Sequence, residues 1–516
     1  MPTRVSGLGS GLEVDSLVSQ MMQAKRVPID KMTQKVTYLD WQRDAYRSMN
    51  TDVSAFMKEA QKLTFQTNIL AKKSNMSTAD ADKVKVTPTS NALNGNFSLK
   101  VSQIAKNATT SSSSTVLGGA AAATDPLADA DATLKVTGEL GAVNVEITYG
   151  DSLNKIVSKI NEKTSLSGVK AVYDKISDKI TLVSTQTGEA STIKIVDEDG
   201  TNLLHDKLKL STGSTPYETT LVKGQDAKVD LNGSGEVTIR TNSFTLSNIN
   251  FSLMVDPGTP ANAYTVNGTV NMDTDKIVET IKGVFDKYND IISKINDKLG
   301  ETKYRSYTPL TSAQKEKMSD SDIKLWEEKA KSGLLKGDSI LGEGIEKMRR
   351  ALANSVSGIP NGQINNLADI GITTARSTGG ASSLAYLEKG KIYIDEDKLR
   401  KALSDSPDEV VALFTKDGAR KADGKLVSGN DAGVGTQLYE ILKNDMISGL
   451  SQKTQIVPTR SYLNIQIDDY TSRISKAEYA LTDYEQGLYS KYAQMEKALS
   501  KLNSQGSQLA NFFQSK

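Results

Sequence analysis

Cysteine is absent from this chain of 516 residues, and histidine occurs once, at His205. The first absence removes disulfide frameworks and thiolate chemistry. The second removes the imidazoles on which most zinc, copper and iron sites and most acid–base catalysis draw. Without disulfides or thiols, the redox compartment leaves no trace in the composition. Charge of one sign is also lacking: 63 Lys+Arg stand against 62 Asp+Glu, a net charge of +1. The field that condenses a chain onto nucleic acid or an acidic membrane is therefore missing globally. No apolar run approaches the roughly 20 residues of a membrane span. The first thirty residues hold no uninterrupted apolar segment, so a secretory signal of the usual kind is not expected.

Motifs of turnover are scarce as well. There is no G-x-S-x-G elbow, no S-x-x-K set with its companions and no P-loop. A hydrolase here would need an uncued Asp, Glu or Lys as its general base. Asp197, Glu198, Asp199 and Gly200 form a dense acidic cluster, but their spacing fails the alternating-ligand pattern of a calcium loop and reads as a solvated turn. His205 follows without a recognisable partner motif and reads as a surface or loop residue. No cofactor or metal site is expected, and the chain is not expected to be an enzyme.

Long patterned helices are what the chain does have. Apolar residues make up 37% and charged residues 24%, a balance that long solvated helices produce. At about 150 residues per domain the length suggests roughly three domains. Near the C-terminus Leu463, Ile467, Tyr470, Ile474, Ala477, Leu481, Tyr484 and Leu488 alternate gaps of four and three, a heptad seam. After a phase shift at Tyr492, Met495, Leu499, Leu502, Leu509 and Phe513 resume it, with Gly506 in the missing slot. Near the N-terminus Ile29, Met32, Val36, Leu39, Tyr46, Val53, Met57 and Ala60 fit one frame, with Arg43 and Asn50 as polar members that set register. Neither stripe hides alone. The two ends are expected to pair as one antiparallel rod; two separate bundle helices are the alternative.

Trp41 falls outside this frame, which implies cover by a further helix of the chain or by another subunit. Ahead of the rod, residues 6–13 form a glycine-rich arm whose Ser10 and Glu13 read as a capping box. Val14, Leu17, Val18, Met21 and Met22 follow as one apolar face, and Pro28 is expected to interrupt or kink the helix before the longer one begins.

Between the ends the periodicity changes to that of strands. Residues 84–101 read as a hairpin about Asn94-Gly95, and residues 228–240 as a second about Asn232-Gly233. Residues 111–123 read as a linker, and residues 133–184 as a small α+β unit. Residues 244–255 and 264–270 read as strands, and a bundle helix begins at Thr274 with Ile277, Ile281, Val284, Tyr288, Ile291 and Ile295 on its stripe. Further helices are expected around Trp326, over 340–355, 398–403 and 408–414, with a strand at 391–394.

Residues 5–18, Val-Ser-Gly-Leu-Gly-Ser-Gly-Leu-Glu-Val-Asp-Ser-Leu-Val, resemble the opening of the flagellar hook-associated protein 2 family, caps at the tip of the bacterial flagellar filament. Residues 150–161 and 168–188 resemble the flagellin "IN" motif; residues 224–233, 288–292, 333–338, 367–372 and 495–505 continue the resemblance in order. The resemblance implies a ring-shaped homo-oligomer, a pentamer, with β-rich domains as a plate and paired terminal helices as legs that contact flagellin. It also implies export unfolded through the flagellar export apparatus with a dedicated chaperone, and residence at the distal tip. An adhesin-like use of the β-rich domains is the alternative.

The fold expected is α+β and multidomain, an antiparallel helical or coiled-coil stalk from both chain ends with inserted β-rich domains. Its expected parts are an arm and short helix (1–27), a stalk helix (28–70), a discontinuous β-rich domain (71–110 and 225–272), an outer α+β domain (111–224), a helical bundle and compact segment (273–455) and a C-terminal coiled-coil helix (456–516). Contacts to flagellin or neighbouring subunits are expected at Leu12, Val14, Leu17, Val18, Met21, Trp41, Met495, Leu499, Leu502, Leu509 and Phe513.

Overall fold

The computed structural model describes residues 13–118, 122–211, 217–360, 362–374, 390–427, 429–454 and 461–514. The chain divides into two compact units, one of residues 1–69 and 274–516 and one of residues 70–273.

The first unit is helical. Helix α1 spans Val14–Gln61 and α2 Thr274–Gly300. Then come α3 (Asp320–Lys331), α4 (Ser339–Ala353), α5 (Glu396–Asp405), α6 (Pro407–Thr415), α7 (Val434–Glu440), a π-helical turn over Ile441–Ile447, α8 (Ser448–Thr454) and α9 (Tyr462–Gln514). At 1.5 Å per residue α1 and α9 are about 70 and 80 Å long. The predicted stripe of α2 is its core face: Ile277, Ile281, Val284, Tyr288, Ile291 and Ile295 are all buried. Phe56 of α1 meets Tyr288 there, with ring centroids 6.1 Å apart.

Of the two outcomes expected at Pro28, an interruption is not formed; α1 runs through it. A helical proline frees the carbonyl four residues earlier. Residues 23–28 are all exposed, so water can take that carbonyl, while buried Val18 and Ile29 hold the helix on either side. The predicted capping box is not the start of this helix either: Glu13 occupies the N-cap position without a side-chain cap, and Ser10 lies outside the described residues.

The second unit is built on antiparallel sheets around two cores. Strands β1 (Lys72–Met76), β2 (Val84–Pro88), β3 (Gly95–Gln103), β4 (Asn107–Ser111), β5 (Ala132–Gly138), β6 (Gly141–Ile147), β7 (Val169–Asp174), β8 (Lys179–Thr187), β9 (Thr192–Asp197), β10 (Val222–Lys223), β11 (Ala227–Leu231), β12 (Val237–Ile239), β13 (Ser243–Leu246), β14 (Ile249–Leu253) and β15 (Tyr264–Met272) follow in chain order. The sheets β1-β15-β3-β11-β12 and β13-β14-β2 bury Val84, Leu99, Val229, Phe251 and Val266. The sheets β10-β9-β5-β6 and β4-β8-β7, with the helix Leu153–Glu162, bury Leu134, Ile156, Ile180 and Ile195.

The expected hairpin at residues 84–101 is not formed. β2 pairs with β14, and β3 pairs with β15 and β11, so the two strands lie in different sheets over one core. Alternation specifies which face of a strand is buried, not which strand lies beside it. The hairpin at Asn232-Gly233 is formed, with φ of 59° and 70° at its two turn residues, a conformation open to this pair. Residues 244–255 are two strands, β13 and β14, joined at Ser247-Asn248, which also have positive φ.

Asp151, 1% exposed, anchors the start of the helix Leu153–Glu162. Its carboxylate accepts from the Thr148 N–H at 2.9 Å and pairs with Lys155 at 2.8 Å and with Lys159. Burial pushes its pKa up, but the bonds from Lys155, Lys159 and Thr148 outweigh burial and hold it well below the usual carboxylate range. Depression of the folded-state pKa stabilises the fold above the unfolded pKa and ceases to do so as pH falls through the folded one. Asp151→Asn should therefore cost about 2 kcal/mol at neutral pH, the scale of hydrogen bonds to a buried charge. Chemical denaturation across pH should show the gap to the parent closing only below the ordinary carboxylate range. Two glycines of the helical unit supply a paired test. A Cβ at Gly435 would lie 2.7 Å from Leu63 Cβ and from its carbonyl O, whereas one at Gly283 on α2 would meet open space. Gly435→Ala should destabilise by about 1–3 kcal/mol, and Gly283→Ala should stabilise by about 0.5–1 kcal/mol, both read from denaturant midpoints.

Candidate functional site: the paired terminal helices

Helices α1 and α9 run antiparallel within the helical unit. Tyr489 Oη donates to Asp15 Oδ1 at 3.1 Å near one end of the pair, and Arg43 Nη1 donates to Asn464 Oδ1 at 3.4 Å near the other. The α9 seam matches its heptad reading: Leu463 and Leu488 are buried and Ile467, Tyr470, Ile474, Ala477, Leu481 and Tyr484 half-buried, while most positions between them face solvent. At the end near Val14, a small apolar cluster unites Val14, Val18 and Leu488, with Met22, Tyr484, Tyr489 and Tyr492 around it. The Lys25 ammonium sits 5.3 Å from the Tyr484 ring centroid, a cation–π contact across the pair.

The two polar seam positions each reach a polar group on another helix. Arg43, besides meeting Asn464, pairs with Asp40 at 2.7 Å. Asn50 Nδ2 reaches Ser451 Oγ of α8 at 3.5 Å. A one-turn slip of α9 would take Asn464 from Arg43 while leaving its pair with Asp40 on the same helix; a buried polar group left without a partner costs about 1–3 kcal/mol. Farther along α1, buried Tyr46 donates to Asp338 Oδ2 at 2.7 Å, and Asp338 Oδ1 accepts from Leu341 N–H as the N-cap of α4. Burial, and then the Asp338 carboxylate, push the Tyr46 pKa well above its ordinary value.

The residues expected to contact partners fall into four environments. Val14 and Val18 are already buried against the chain's own Leu488, so α9 covers the face they share. Leu17, Met495 and Leu499 are half-buried; Met21 is 38% exposed and approached by Tyr492 Oη at 3.8 Å from its Sδ. Leu502 and Leu509 are 62% and 57% exposed, in a stretch, residues 501–511, that faces solvent throughout. Leu12 and the Phe513 side chain lie outside the described residues. Trp41 is half-buried beside Lys331 of α3, whose Nζ is 4.7 Å from the ring centroid, so a helix of the same chain supplies its cover. Tyr489, Asp15 and Lys25 escaped sequence reasoning because cross-helix pairing depends on stagger, which periodicity leaves open.

The acidic cluster of the β-rich unit is spent on its own turn. Asp197 accepts from Thr201 Oγ1 and Leu203 N–H at 2.8 and 3.1 Å, Asp199 accepts from Thr133 N–H at 2.7 Å, and Glu198 pairs with Lys135 at 3.0 Å. His205 Nδ1 lies 2.7 Å from the neighbouring Asp206 carboxylate on the surface. Among the described residues no group of three or more His, Asp or Glu is placed to hold a metal ion, and no helix is long and apolar enough to cross a membrane.

Comparison with known proteins places this architecture. The Escherichia coli crystal structure described as the flagellar cap protein FliD D1-D2-D3 domains superposes with a TM-score of 0.54 at 21% identity, covering 83% of this chain and 99% of that one. A flagellar hook-associated protein 2 of Halalkalibacterium halodurans is 29% identical over 556 aligned residues, 99% of each chain. One from Salmonella typhimurium is 27% identical over 391 residues, covering 74% of this chain and 71% of its own. The flagellin hook IN motif matches residues 133–186, the sheet-and-helix region that holds Asp151. Family models for the N-terminus and C-terminus of flagellar hook-associated protein 2 match residues 10–108 and 224–504, the second alone more than half of the chain, and the chain belongs to that family.

Proposed function

We propose that this chain caps the distal end of the bacterial flagellar filament, outside the cell, where it promotes flagellin insertion and polymerisation and keeps monomers from leaking away. Family membership supports the role, and the exposed leucines at the end of α9 carry the mechanism. The α1–α9 pair serves as a leg. Its inner part is closed by Val14, Val18 and Leu488, and its outer part offers Met495, Leu499, Leu502 and Leu509 to flagellin. Burying one such side chain is worth about 1.5–3 kcal/mol, less the cost of ordering the helix end. Several together drive docking, and one alone does not.

The same reading includes self-association as a ring-shaped pentamer, export through the flagellar export apparatus and a dedicated chaperone; the resemblance of the chain to the family supports these. The surface-binding alternative has no observation in its favour.

Two variants test the leg. Leu499→Asp, Leu502→Asp and Leu509→Asp combined should leave helix content and the melting of the β-rich unit unchanged, yet cut filament growth more than tenfold, since each lost burial exceeds about 1.4 kcal/mol, and release flagellin into the medium. Filaments of parental length from this variant would overturn the reading. Deleting residues 1–27 strips Leu488 of Val14 and Val18, and filament growth should stop while the β-rich unit stays folded by circular dichroism.

A further inference from the structure

A polar groove of about 440 Å³ lies in the helical unit between α4, the π-helical turn and Lys425, Leu426 and Asn430. A π-helical turn of seven residues is uncommon, and such turns are frequent at functional sites. Asn444 and Asp445 of this turn line the groove, facing Lys347, Arg350, Asn354 and Lys425.

Its two carboxylates are already paired: Asp445 with Lys347 at 2.8 Å, and Glu440 with Arg420 at 2.9 Å. Two cations remain over. Among the described residues the exposed Arg350 reaches only the Glu346 carbonyl, at 3.4 Å, and the exposed Lys425 ammonium meets no acceptor. The groove thus presents two unpaired positive charges above a bed of side-chain amides.

The complementary surface is on the same unit. Glu279, Asp286 and Asp290 occupy positions i, i+7 and i+11 along the exposed face of α2, with Gly283 among them leaving open space; Lys282 and Lys287 share this face, Lys282 being taken by Glu396 of α5 at 2.7 Å, so three carboxylates face one remaining cation. Glu279 and Asp286 form no ion pair among the described residues, and Asp290 has only Lys287 of its own helix, at 3.3 Å. α2 and α4 meet at one glycine. Tyr288 donates to the Gly390 carbonyl at 3.1 Å, and the Arg349 side chain lies against the same glycine. Asp286 and Asp290 flank Tyr288, and Arg350 follows Arg349. A head-to-tail contact, the kind that closes a ring when its rotation allows, joins two unlike surfaces of the same chain.

We propose that the groove at Arg350 and Lys425 receives the acidic face of α2 from a second copy of this chain. The inference rests on the self-association included in the proposed function. The absence of cysteine supplies the first test: full-length Lys425→Cys and Asp286→Cys proteins, mixed and oxidised, should give a disulfide-linked dimer that neither forms alone in comparable yield. In sedimentation velocity, Arg350→Glu with Lys425→Glu should weaken assembly more than tenfold, and mixing with Asp286→Lys/Asp290→Lys protein should restore a mixed assembly. Should the charge reversals unfold the helical unit, Arg350→Gln with Lys425→Gln should show the same direction and a loss of salt dependence. Assembly unchanged by these substitutions, or no mixed disulfide from chains that do assemble, overturns the groove contact alone. A full-length chain that stays monomeric at every concentration overturns the self-association as well. Cross-linking of Lys425→Cys to flagellin in place of a second copy also overturns the groove contact.

Discussion

Two apolar stripes, each on a helix about 70–80 Å long, are the constraint around which the helical unit is arranged. Neither helix is stable alone in water with its stripe exposed, because isolated helices draw most of their stability from tertiary packing. The antiparallel pairing of α1 and α9 resolves this for most of their length, and it places residues near position 15 beside residues near position 489. The chain between them must then leave and return, which is why the helical unit is made of residues 1–69 and 274–516 with residues 70–273 forming a unit of their own. The order of elements is thus a consequence of one packing requirement.

The pair is not uniform. Near Val14 it is closed by an aliphatic and tyrosine cluster, while near Arg43 and Asn50 it carries polar groups bonded to Asn464 and Ser451. Apolar layers supply most of the association energy, and polar layers penalise slipped registers. At residues 501–511 the helix continues with its leucines in solvent. A filament cap must hold a fixed internal geometry yet keep a surface available for subunits that are added repeatedly. A closed seam that continues into an open one meets both needs.

Much of this architecture was legible in advance. The α9 seam, the stripe of α2 and the Asn232-Gly233 turn were readable because heptad spacing and turn conformation are local properties of the chain. The outcome at Pro28 was left open because a proline's cost depends on whether water can reach the freed carbonyl, a matter of exposure. The strands at residues 84–88 and 95–103 were recognised, but their partners lie 125 to 175 residues away in β14, β15 and β11, and alternation carries no information about pairing at that distance. Trp41 was recognised as needing cover, and only packing supplied the identity of that cover, Lys331.

The amino-acid sequence by itself determined which residues of the helices and strands turn inward, because side-chain direction repeats every 3.6 residues in one and every two in the other. It also determined the chemistry that was out of reach, through a composition without cysteine and with one histidine. Only the tertiary structure decided the stagger of α1 against α9, the sheet to which each strand belongs, the pairing that leaves Arg350 and Lys425 over, and the burial of Asp151 between two lysines. Those are relations between segments far apart in the chain, set by which of many locally equivalent packings buries the most apolar surface while leaving the fewest polar groups without partners.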